Sequence, residues 1–421
     1  MNFKTFTSHY WQQIIVIILA ISIFCFWLFV YPFVPLIREI SVLFLWNSDY
    51  LTERIIVPGG LAQYVGEGLA QFFINPFNGA FCYAVLFIIA QQLSAKWISH
   101  LLPRLKKGLQ FVLSLLIPAI LWCLAMSPDI PLTPTIATIL VLAAGVPIMY
   151  IRPESPNRHK AIAVCIATPI TYWLTGPIAI LLVLCCLRWA LPTIIVFTAS
   201  MLGSSYLTPY PLEKVALGID YYWTGDRETR STYEEMECDM LMRQRNWSAI
   251  LRKYPSPESP AVTSAVIFAS HQEGQLSRQD FLSLLVSSNE RQLSEPTLFS
   301  IENAYFVANF GSLSSAFIAS DIAYQVYWPN IAQRTAFDAM EYIPNNNKSG
   351  RALKRLAEIS IITQQYDVAR KYLSILEETT FYRGWAKQMR TVVEHPDLIK
   401  RHPIMQKSLE AYENTEDVFF I

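Results

Sequence analysis

The protein has 421 residues, no formal net charge, 53% hydrophobic residues and only 16% charged residues. This balance is too apolar for an ordinary soluble protein of this length, and neutrality gives no reason to expect a nucleic-acid partner. Residues 1–206 hold 11 Lys and Arg against 6 Asp and Glu, whereas residues 207–421 hold 22 against 27. This difference predicts a membrane domain over 1–206 followed by a water-soluble domain over 212–421.

Long apolar segments occupy most of the first half of the chain. A helix needs roughly 20 mostly apolar residues to cross a bilayer, and residues 14–34, 77–98, 109–126 and 132–151 provide four such segments. A further apolar block over 161–206 is interrupted at Gly176 and Pro177, and it could hold three short spans or two. The interruption favours three, which gives a bundle of about seven spans.

The basic residues of this half alternate between loops. Lys and Arg concentrate in cytoplasmic loops of membrane proteins. The loops after the second and fourth predicted spans carry most of them: Lys96, Arg104, Lys106, Lys107, Arg152, Arg158 and Lys160. This pattern predicts a cytoplasmic N-terminus. Seven spans would place the C-terminal domain in the periplasm, whereas six would leave it in the cytoplasm.

The stretch PGGLAQYVGEGLAQFFINPFNGA, residues 58–80, separates the first two predicted spans. On a helix near residues 61–73, Gln63, Glu67 and Gln71 share one polar face. Beside them runs a stripe of small residues that would let another helix approach closely: Ala62, Gly66 and Ala70. This helix is too short to span, so we expect it to lie at the outer interface or to re-enter the membrane, with its polar stripe facing headgroups or a groove.

Acidic residues in the same loop suggest an alternative function. Asp49 and Glu53 precede the polar stripe, and together with Glu67 they could form the site of a membrane-embedded glycosyltransferase that uses a lipid-linked sugar. Such enzymes keep a catalytic acid in the first exported loop. An acid pair more often caps a helix or forms a salt bridge, so no catalytic residue is assigned on the favoured interpretation.

The second half has the periodicity of short helices and a weak internal repeat. The segment AFIASDIAYQVY with NIAQRTAFDAMEYIP resembles LKRLAEISIITQ with DVARKYLSILEET at an offset of 37 residues. The offset pairs Ala332 with Ala369, and a small residue there lets paired helices approach. The pattern resembles a tetratricopeptide-type (TPR-like) helical hairpin, whose arrays present concave surfaces to protein or peptide partners. Packing as a plain helical bundle is an equally weighted alternative.

Few other residues indicate chemistry. Arg351, Lys354 and Arg355 recur at helical spacing and could bind an anionic partner or lipid headgroup, although a solvated helix face is the commoner explanation. The histidines show no metal-ligand spacing, and no phosphate-binding or dinucleotide motif is present. We therefore expect no cofactor and no metal.

Two regions together resemble a known family: VPGGLAQYVGEGLAQFFINPFNGA and the stretch from AFDAMEYIPNNNKSG to TTFYRGWA. They are similar to a family of polytopic membrane proteins, mainly of Bacteroidota, that is named only as a domain of unknown function. The resemblance implies an N-terminal membrane domain and a helical-repeat C-terminal region. The combined expectation is an all-α membrane protein that acts in the cell envelope as a scaffold or partner-binding protein rather than an enzyme, with the lipid bilayer and a protein or peptide as its partners.

Overall fold

The computed structural model describes residues 3–151, 158–224, 230–286 and 311–414. Their regular secondary structure is helical, without a strand, which confirms the all-α prediction. Tertiary contacts divide the chain into two compact units. The first unit comprises Met1–Glu39 and Trp46–Trp223, and the second comprises Ile40–Leu45 and Thr224–Ile421.

The described part of the first unit contains eleven α-helices, one π-helical turn and two 3₁₀ segments. The α-helices are α1 (Phe3–Cys25), α2 (Phe33–Ile40), α3 (Ser48–Ile55), α4 (Gly60–Ala70), α5 (Pro76–Leu101), α6 (Lys107–Ser114), α7 (Leu116–Met126), α8 (Thr133–Met149), α9 (Arg158–Thr175), α10 (Ala190–Leu207) and α11 (Leu212–Leu217). A π-helical turn covers Phe26–Val30, and 3₁₀ segments cover Gln71–Ile74 and Gly176–Trp189.

Among the described residues, five segments have the length and apolar composition to cross a membrane. They are Trp11–Val30, Pro76–Leu101, Lys107–Met126, Ala161–Cys185 and Ala190–Leu207, and the fourth of them contains the turn at Gly176 that is described below. Helix α8 is also apolar but has only 17 residues. The first half thus has the helices that a membrane domain needs, while the number of seven spans stays a prediction.

The apolar block over 161–206 reverses direction at Gly176. Helix α9 ends at Thr175, and Gly176 has a φ of +72°, which glycine adopts without steric cost. The 3₁₀ segment Gly176–Trp189 packs back along α9, and α10 packs against both. Long 3₁₀ runs are uncommon, but at about 2.0 Å per residue this segment extends about 28 Å, far enough to match a span. The Gly-Pro interruption therefore divides the block into three packed segments.

A buried arginine joins α2 to the loop that follows α7. Arg38 is 1% exposed, and its guanidinium donates to the carbonyl oxygens of Ala125, Ser127 and Ile130 at 2.8, 2.7 and 2.9 Å. It also donates to the Tyr83 hydroxyl. The last carbonyls of a helix lack intrahelical donors and lie at the negative end of its dipole. Arg38 thus stabilises the C-terminal end of α7.

Further contacts bring other connections to the same end of the first unit. Three hydrogen bonds join them: Gly59 N to Trp173 O at 2.9 Å, Tyr221 Oη to Thr175 O, and Trp223 N to Asp129 O at 2.7 Å. The connection from α1 to α5, the α7–α8 loop, the turn at Gly176 and the chain after α10 therefore lie together.

The boundary between the units lies later than the sequence suggests. The sequence places it between residues 206 and 212, whereas the contacts place it after Trp223. Helix α11 and the segment that follows belong to the first unit because Val215 and Ile219 pack into a buried cluster with Tyr172. An apolar cluster of this kind cannot be read from composition alone, since the polar residues around it dominate the local average.

The small-residue stripe of α4 lies against α8, as its spacing predicts. Ala62 and Ala70 are buried, and a Cβ atom built on Gly66 would stand 3.2 Å from the backbone nitrogen of Thr133. A larger side chain at Gly66 would therefore push the two helices apart. The helix itself begins at Gly60, one residue before the predicted start, and ends at Ala70 before a 3₁₀ turn over Gln71–Ile74.

The described part of the second unit contains ten further α-helices. They are α12 (Tyr233–Arg243), α13 (Trp247–Lys253), α14 (Pro260–Gln272), α15 (Arg278–Val286), α16 (Leu313–Gln325), α17 (Pro329–Glu341), α18 (Gly350–Ile362), α19 (Tyr366–Glu377), α20 (Arg383–Glu394) and α21 (Pro403–Glu413). Short 3₁₀ segments cover Pro344–Asn346 and Pro396–Arg401.

The same type of turn joins the two helices in each of four successive pairs, which are α12 with α13, α14 with α15, α16 with α17, and α18 with α19. A residue in the left-handed region stands at each turn: Arg245, Gly274, Tyr327 and Gln364. In each case the next amide donates to the carbonyl oxygen five residues before it, as Trp328 N does to Ala323 O at 2.9 Å. This is the Schellman helix end, and its recurrence shows that the unit repeats a helix–turn–helix element.

The 37-residue offset read from the sequence pairs positions with matching environments. The turn residues Tyr327 and Gln364 stand 37 positions apart, as do the fully buried Ala332 and Ala369. Two further pairs follow the same rule: Arg334 and Lys371 are exposed, and Ala336 and Leu373 are buried. The hairpin repeat is therefore real in this pair of hairpins, while its assignment to the TPR-like class stays a prediction.

Candidate functional site

The polar stripe of α4 belongs to a buried cluster with α3. The Asn47 side chain caps α3 by accepting from Tyr50 N at 2.7 Å. Tyr50 and Arg54 stand four residues apart, so they lie on one face of α3. Gln63 and Glu67 stand four apart on α4, and the two faces meet.

The Glu67 carboxylate is the centre of this cluster, which we call the Glu67 cluster (Tyr50, Arg54, Gln63 and Glu67). Its Oε2 accepts from the Tyr50 hydroxyl at 2.7 Å and from Arg54 Nε at 2.8 Å, and its Oε1 accepts from Gln63 Nε2 at 3.0 Å. The Arg54 guanidinium lies 4.4 Å from the centre of the Tyr50 ring. Both carboxylate oxygens are thus bonded, and one positive charge balances one negative charge.

Burial and then the Glu67 carboxylate raise the pKa of the Tyr50 phenol. Tyr50 therefore stays protonated and remains a donor to Glu67 at any physiological pH. Glu67 and Gln63 are each 7% exposed. An ion pair with this degree of burial and bonding holds two helices in register, and the arrangement can clamp α3 onto α4.

The other predicted residues of this loop lie outside the cluster. Asp49 and Glu53 are exposed on α3, on positions adjacent to Tyr50 and Arg54 that point to a different face. The predicted trio of Asp49, Glu53 and Glu67 is therefore not brought together. Gln71 is buried and makes a long hydrogen bond from Nε2 to Gly68 O at 3.4 Å. The stripe is covered by protein, whereas the sequence led us to expect headgroups, water or a groove beside it.

Replacing Glu67 by Gln tests the clamp. The amide keeps the side-chain size, but it removes the negative charge and turns an NH₂ group toward other donors. We expect a loss of about 1–3 kcal/mol in the stability of the first unit. Thermal unfolding of the full chain in detergent would measure it. Glu53→Gln, which neutralises an exposed acid on α3, is the matched control and should change little. Equal effects of the two variants would show that Glu67 has no clamping role.

A second charged cluster lies within the second unit. Arg351 donates to both oxygens of Asp239 at 2.7 and 2.8 Å and to Asp321 at 2.7 Å. Arg355 donates to Asp321 at 2.8 Å and to Glu358 at 2.7 Å. These five residues, called the Arg351 cluster, connect α12, α16 and α18, so that three separate hairpins share one ion network.

Internal ion pairs occupy the two arginines of the predicted anionic-partner face. The guanidiniums of Arg351 and Arg355 lie 4.3 Å from the Phe317 ring and 3.6 Å from the Tyr324 ring, respectively. Their charges are already taken by carboxylates of the same unit, and their side chains are only 11% and 16% exposed. Lys354 instead lies 5.0 Å from the Trp385 ring. An anionic partner would have to displace internal ion pairs to reach either arginine.

The carboxylates of this cluster occupy equivalent positions in the hairpins. Asp239, Asp321 and Glu358 each stand six residues before the left-handed turn residue of their hairpin. Sequence reasoning missed all three, although the 37-residue offset between Asp321 and Glu358 was a usable signal. It also missed the roles of Tyr50 and Arg54, whose four-residue spacing was the corresponding signal in the first unit.

No three His, Cys, Asp or Glu side chains come together in a way that could hold a metal ion within the described ranges. The carboxylates of both clusters are bonded to arginines instead. Both clusters therefore position helices against one another, and their carboxylates are not open to coordinate a metal ion.

The fold and the two clusters define an all-helical protein with a bundle of long apolar helices and a unit of repeated helical hairpins. The chain belongs to the family of unknown function DUF6057, whose model matches residues 8–421. No curated protein and no solved structure matches it.

Proposed function

We propose that the protein is a seven-span membrane protein that displays a TPR-like docking domain for a protein or peptide partner in the bacterial cell envelope. On this proposal the N-terminus is cytoplasmic in the inner membrane and the second unit is periplasmic. The observation that carries the proposal is the series of hairpins with identical turns, attached to a bundle of apolar helices.

Geometry at one end of the first unit supports seven spans. The α1–α5 connection, the α7–α8 loop, the Gly176 turn and the chain after α10 bond to one another there. If each apolar segment crosses once, including α8 and the 3₁₀ segment, all four connections fall on one side of the membrane. Six spans would put the chain after α10 on the opposite side from Asp129 of the α7–α8 loop, to which Trp223 is bonded.

Basic residues support the assignment of sides. We call the end where these four connections meet the four-loop end. Arg104, Lys106 and Lys107 follow α5, and Arg158 and Lys160 begin α9, so these basic residues belong to connections outside the four-loop end. The rings of His100 and Tyr150, at the ends of α5 and α8, are 6.2 Å apart. Cytoplasmic loops carry the excess of Lys and Arg, so this end faces the cytoplasm and the four-loop end faces the periplasm.

Reporter fusions test the arrangement. Alkaline phosphatase, which is active only after export, should be active when fused after residue 421 and inactive after residue 160. Green fluorescent protein at the same two positions should give the opposite result. A cytoplasmic signal after residue 421 would contradict seven spans, and an exported signal after residue 160 would contradict the orientation.

Docking by the second unit is tested separately with a photo-reactive amino acid. Phe337 is a large apolar side chain that remains 44% exposed on α17, so it is a suitable position for the label. We expect discrete adducts in living cells from Phe337 and fewer from the charged position Lys371 on α19. If Phe337, Phe381 and Tyr327 all give no adduct, the docking function is wrong.

The glycosyltransferase alternative gains no support from the first-loop geometry. Glu67 is already bonded to three donors, and Asp49 and Glu53 lie apart from it. A catalytic acid needs a proton or lone pair that substrate can reach. The alternative therefore stays a sequence-based hypothesis for Asp49 and Glu53, and single Ala variants that left envelope glycans unchanged would end it.

A further inference from the structure

A cavity in the second unit lies at the turn between α16 and α17. It has a volume of about 340 Å³, at the lower end of the ~300–1,000 Å³ typical of ligand sites. We call it the Tyr327 cavity. The residues that line it include Arg278, Tyr327, Trp328, Lys407 and Glu410. Arg278 begins α15, Tyr327 and Trp328 form the turn, and the other two lie on α21.

Helix α21 passes the turns of two hairpins, which gives the cavity a fixed wall. Gln364, the turn residue between α18 and α19, donates from Nε2 to Glu413 Oε1 at 2.9 Å. One turn earlier on α21, Glu410 and Lys407 line the cavity beside Tyr327. The cavity is thus built from three helical elements and is not a depression in a single loop.

Two cations approach the same aromatic ring in this cavity. Arg278 Cζ lies 5.9 Å and Lys407 Nζ lies 5.6 Å from the centre of the Tyr327 ring. Neither cation forms an ion pair with any residue in the described part of the chain. Two like charges near one ring repel each other, and an anion bound in the cavity would relieve that repulsion.

The charges of the residues that line the cavity favour a ligand with a single negative charge. Arg278 and Lys407 contribute two positive charges, and Glu410 contributes the single negative charge of the lining. The net charge of +1 matches one carboxylate, whereas a phosphate dianion would leave the cavity negative. The guanidinium fork of Arg also suits the two oxygens of a carboxylate.

The aromatic wall suits the rest of an amino-acid side chain. Tyr327 has a φ of 70°, which is uncommon for a bulky residue. Arg245 and Gln364 share this conformation at their turns, so the conformation belongs to the turn. The side chain at this position distinguishes the turn. Among the four turn residues, only Tyr327 is aromatic, and Trp328 follows it directly. The two rings provide an apolar surface beside the cations.

We propose that the Tyr327 cavity binds a carboxylate group of an acidic peptide segment of the partner. The carboxylate lies between Arg278 and Lys407, and the flanking chain packs on Tyr327 and Trp328. This inference rests on the proposed docking function and names the chemistry of what docks.

The test uses the full chain in nanodiscs and the N-acetylated, C-amidated tripeptide Ala-Glu-Ala. Saturation-transfer NMR should detect binding of this peptide and not of Ala-Gln-Ala. Arg278→Ala and Lys407→Ala should each weaken binding about tenfold or more, since each removes a charged partner of the carboxylate. Both residues are exposed, so the variants should keep the melting temperature of the parent chain. Lys371→Ala, an exposed cation on α19, is the matched control.

Several outcomes would overturn the proposal. Equal binding of the Glu and Gln peptides, or unchanged binding by both variants, would exclude the cavity as a carboxylate site. Displacement of the peptide by inorganic phosphate at lower concentrations than acetate would assign the site to phosphate instead. If Phe337 gives adducts but the Ala-Glu-Ala peptide does not bind, the docking function is supported and this cavity is rejected as its carboxylate site. Peptide binding without any adducts would support the cavity and reject the docking function.

Discussion

Replacing Arg351 by Met is expected to destabilise the second unit by about 3–5 kcal/mol, because the change leaves the buried Asp239 carboxylate without its cation and removes one of the two cations that bond Asp321. Met keeps an unbranched apolar chain in place of the aliphatic part of Arg351, so the loss is mainly one of charge and hydrogen bonds. For a unit of this size the change corresponds to a fall of about 6–20 °C in melting temperature. Thermal unfolding of the full chain in detergent would measure it.

The control is another arginine that pairs with an aspartate. Arg370 donates to Asp367 at 2.6 Å, but that carboxylate is 93% exposed, and exposed pairs contribute only about 0–1 kcal/mol. Arg370→Met should therefore have little effect. Adding Asp239→Asn to Arg351→Met should recover part of the loss, because it removes the buried charge that the first change leaves without its cation. Similar melting temperatures for the Arg351 and Arg370 variants would show that the buried network does not hold the hairpins together.

The effect of Arg351→Met should depend on pH. Burial by itself raises the pKa of Asp321, but the guanidiniums of Arg351 and Arg355 lower it to about 2. An unfolded aspartate has a pKa of about 3.9. The Asp321 contribution is therefore fully present above about pH 4 and is lost as the pH falls through about 2. The difference between the parent chain and the variant should shrink over that window, and a constant difference would argue against an ionic cause.

Replacing Arg38 by Met is expected to have the second large effect, in the first unit. The variant leaves the carbonyl oxygens of Ala125, Ser127 and Ile130 without their donor, at about 1–3 kcal/mol for each group that water cannot reach. The α7–α8 loop would then separate from α2. Limited proteolysis of the full chain in detergent should show faster cleavage between residues 126 and 132.

Two comparison variants give this test its specificity. Arg104→Met removes an exposed arginine at the other end of α5 and should leave cleavage unchanged. Arg38→Lys keeps the charge but cannot reach the same spread of acceptors as the planar guanidinium, so it should restore only part of the protection. Cleavage of Arg38→Met at the rate of the parent chain would mean that the buried arginine is not needed to hold the loop.

Regular patterns in the sequence predicted several features of this structure. The presence of long apolar helices in the first half, the Gly176 break and the stripe of Ala62, Gly66 and Ala70 were predicted from local composition and spacing, because spacing along one helix decides which residues share a face. The match between Ala332 and Ala369 was readable for the same reason. Each of these features depends on residues close together in the chain or on a repeat within it.

Charged residues could not be interpreted in the same way. Glu67 was a candidate for a groove or an active site, but Arg54 and Tyr50 from another helix neutralise it. Arg351 was a candidate for binding an anionic partner, but its main acceptor, Asp239, lies 112 residues away. Helical spacing tells which face a charge occupies, and it does not tell what covers that face.

The sequence by itself therefore determined the helical class, the apolar segments and the repeat of the hairpins, since these follow from local composition and period. Only the tertiary structure decided which charges are neutralised within the protein and which remain for a ligand. The reason is physical: the energy of a buried charge depends on partners within a few ångströms in space, and distant parts of the chain supply them. Within the described residues, Arg278 and Lys407, which both lie near the Tyr327 ring, are the pair of cations that we test for a partner.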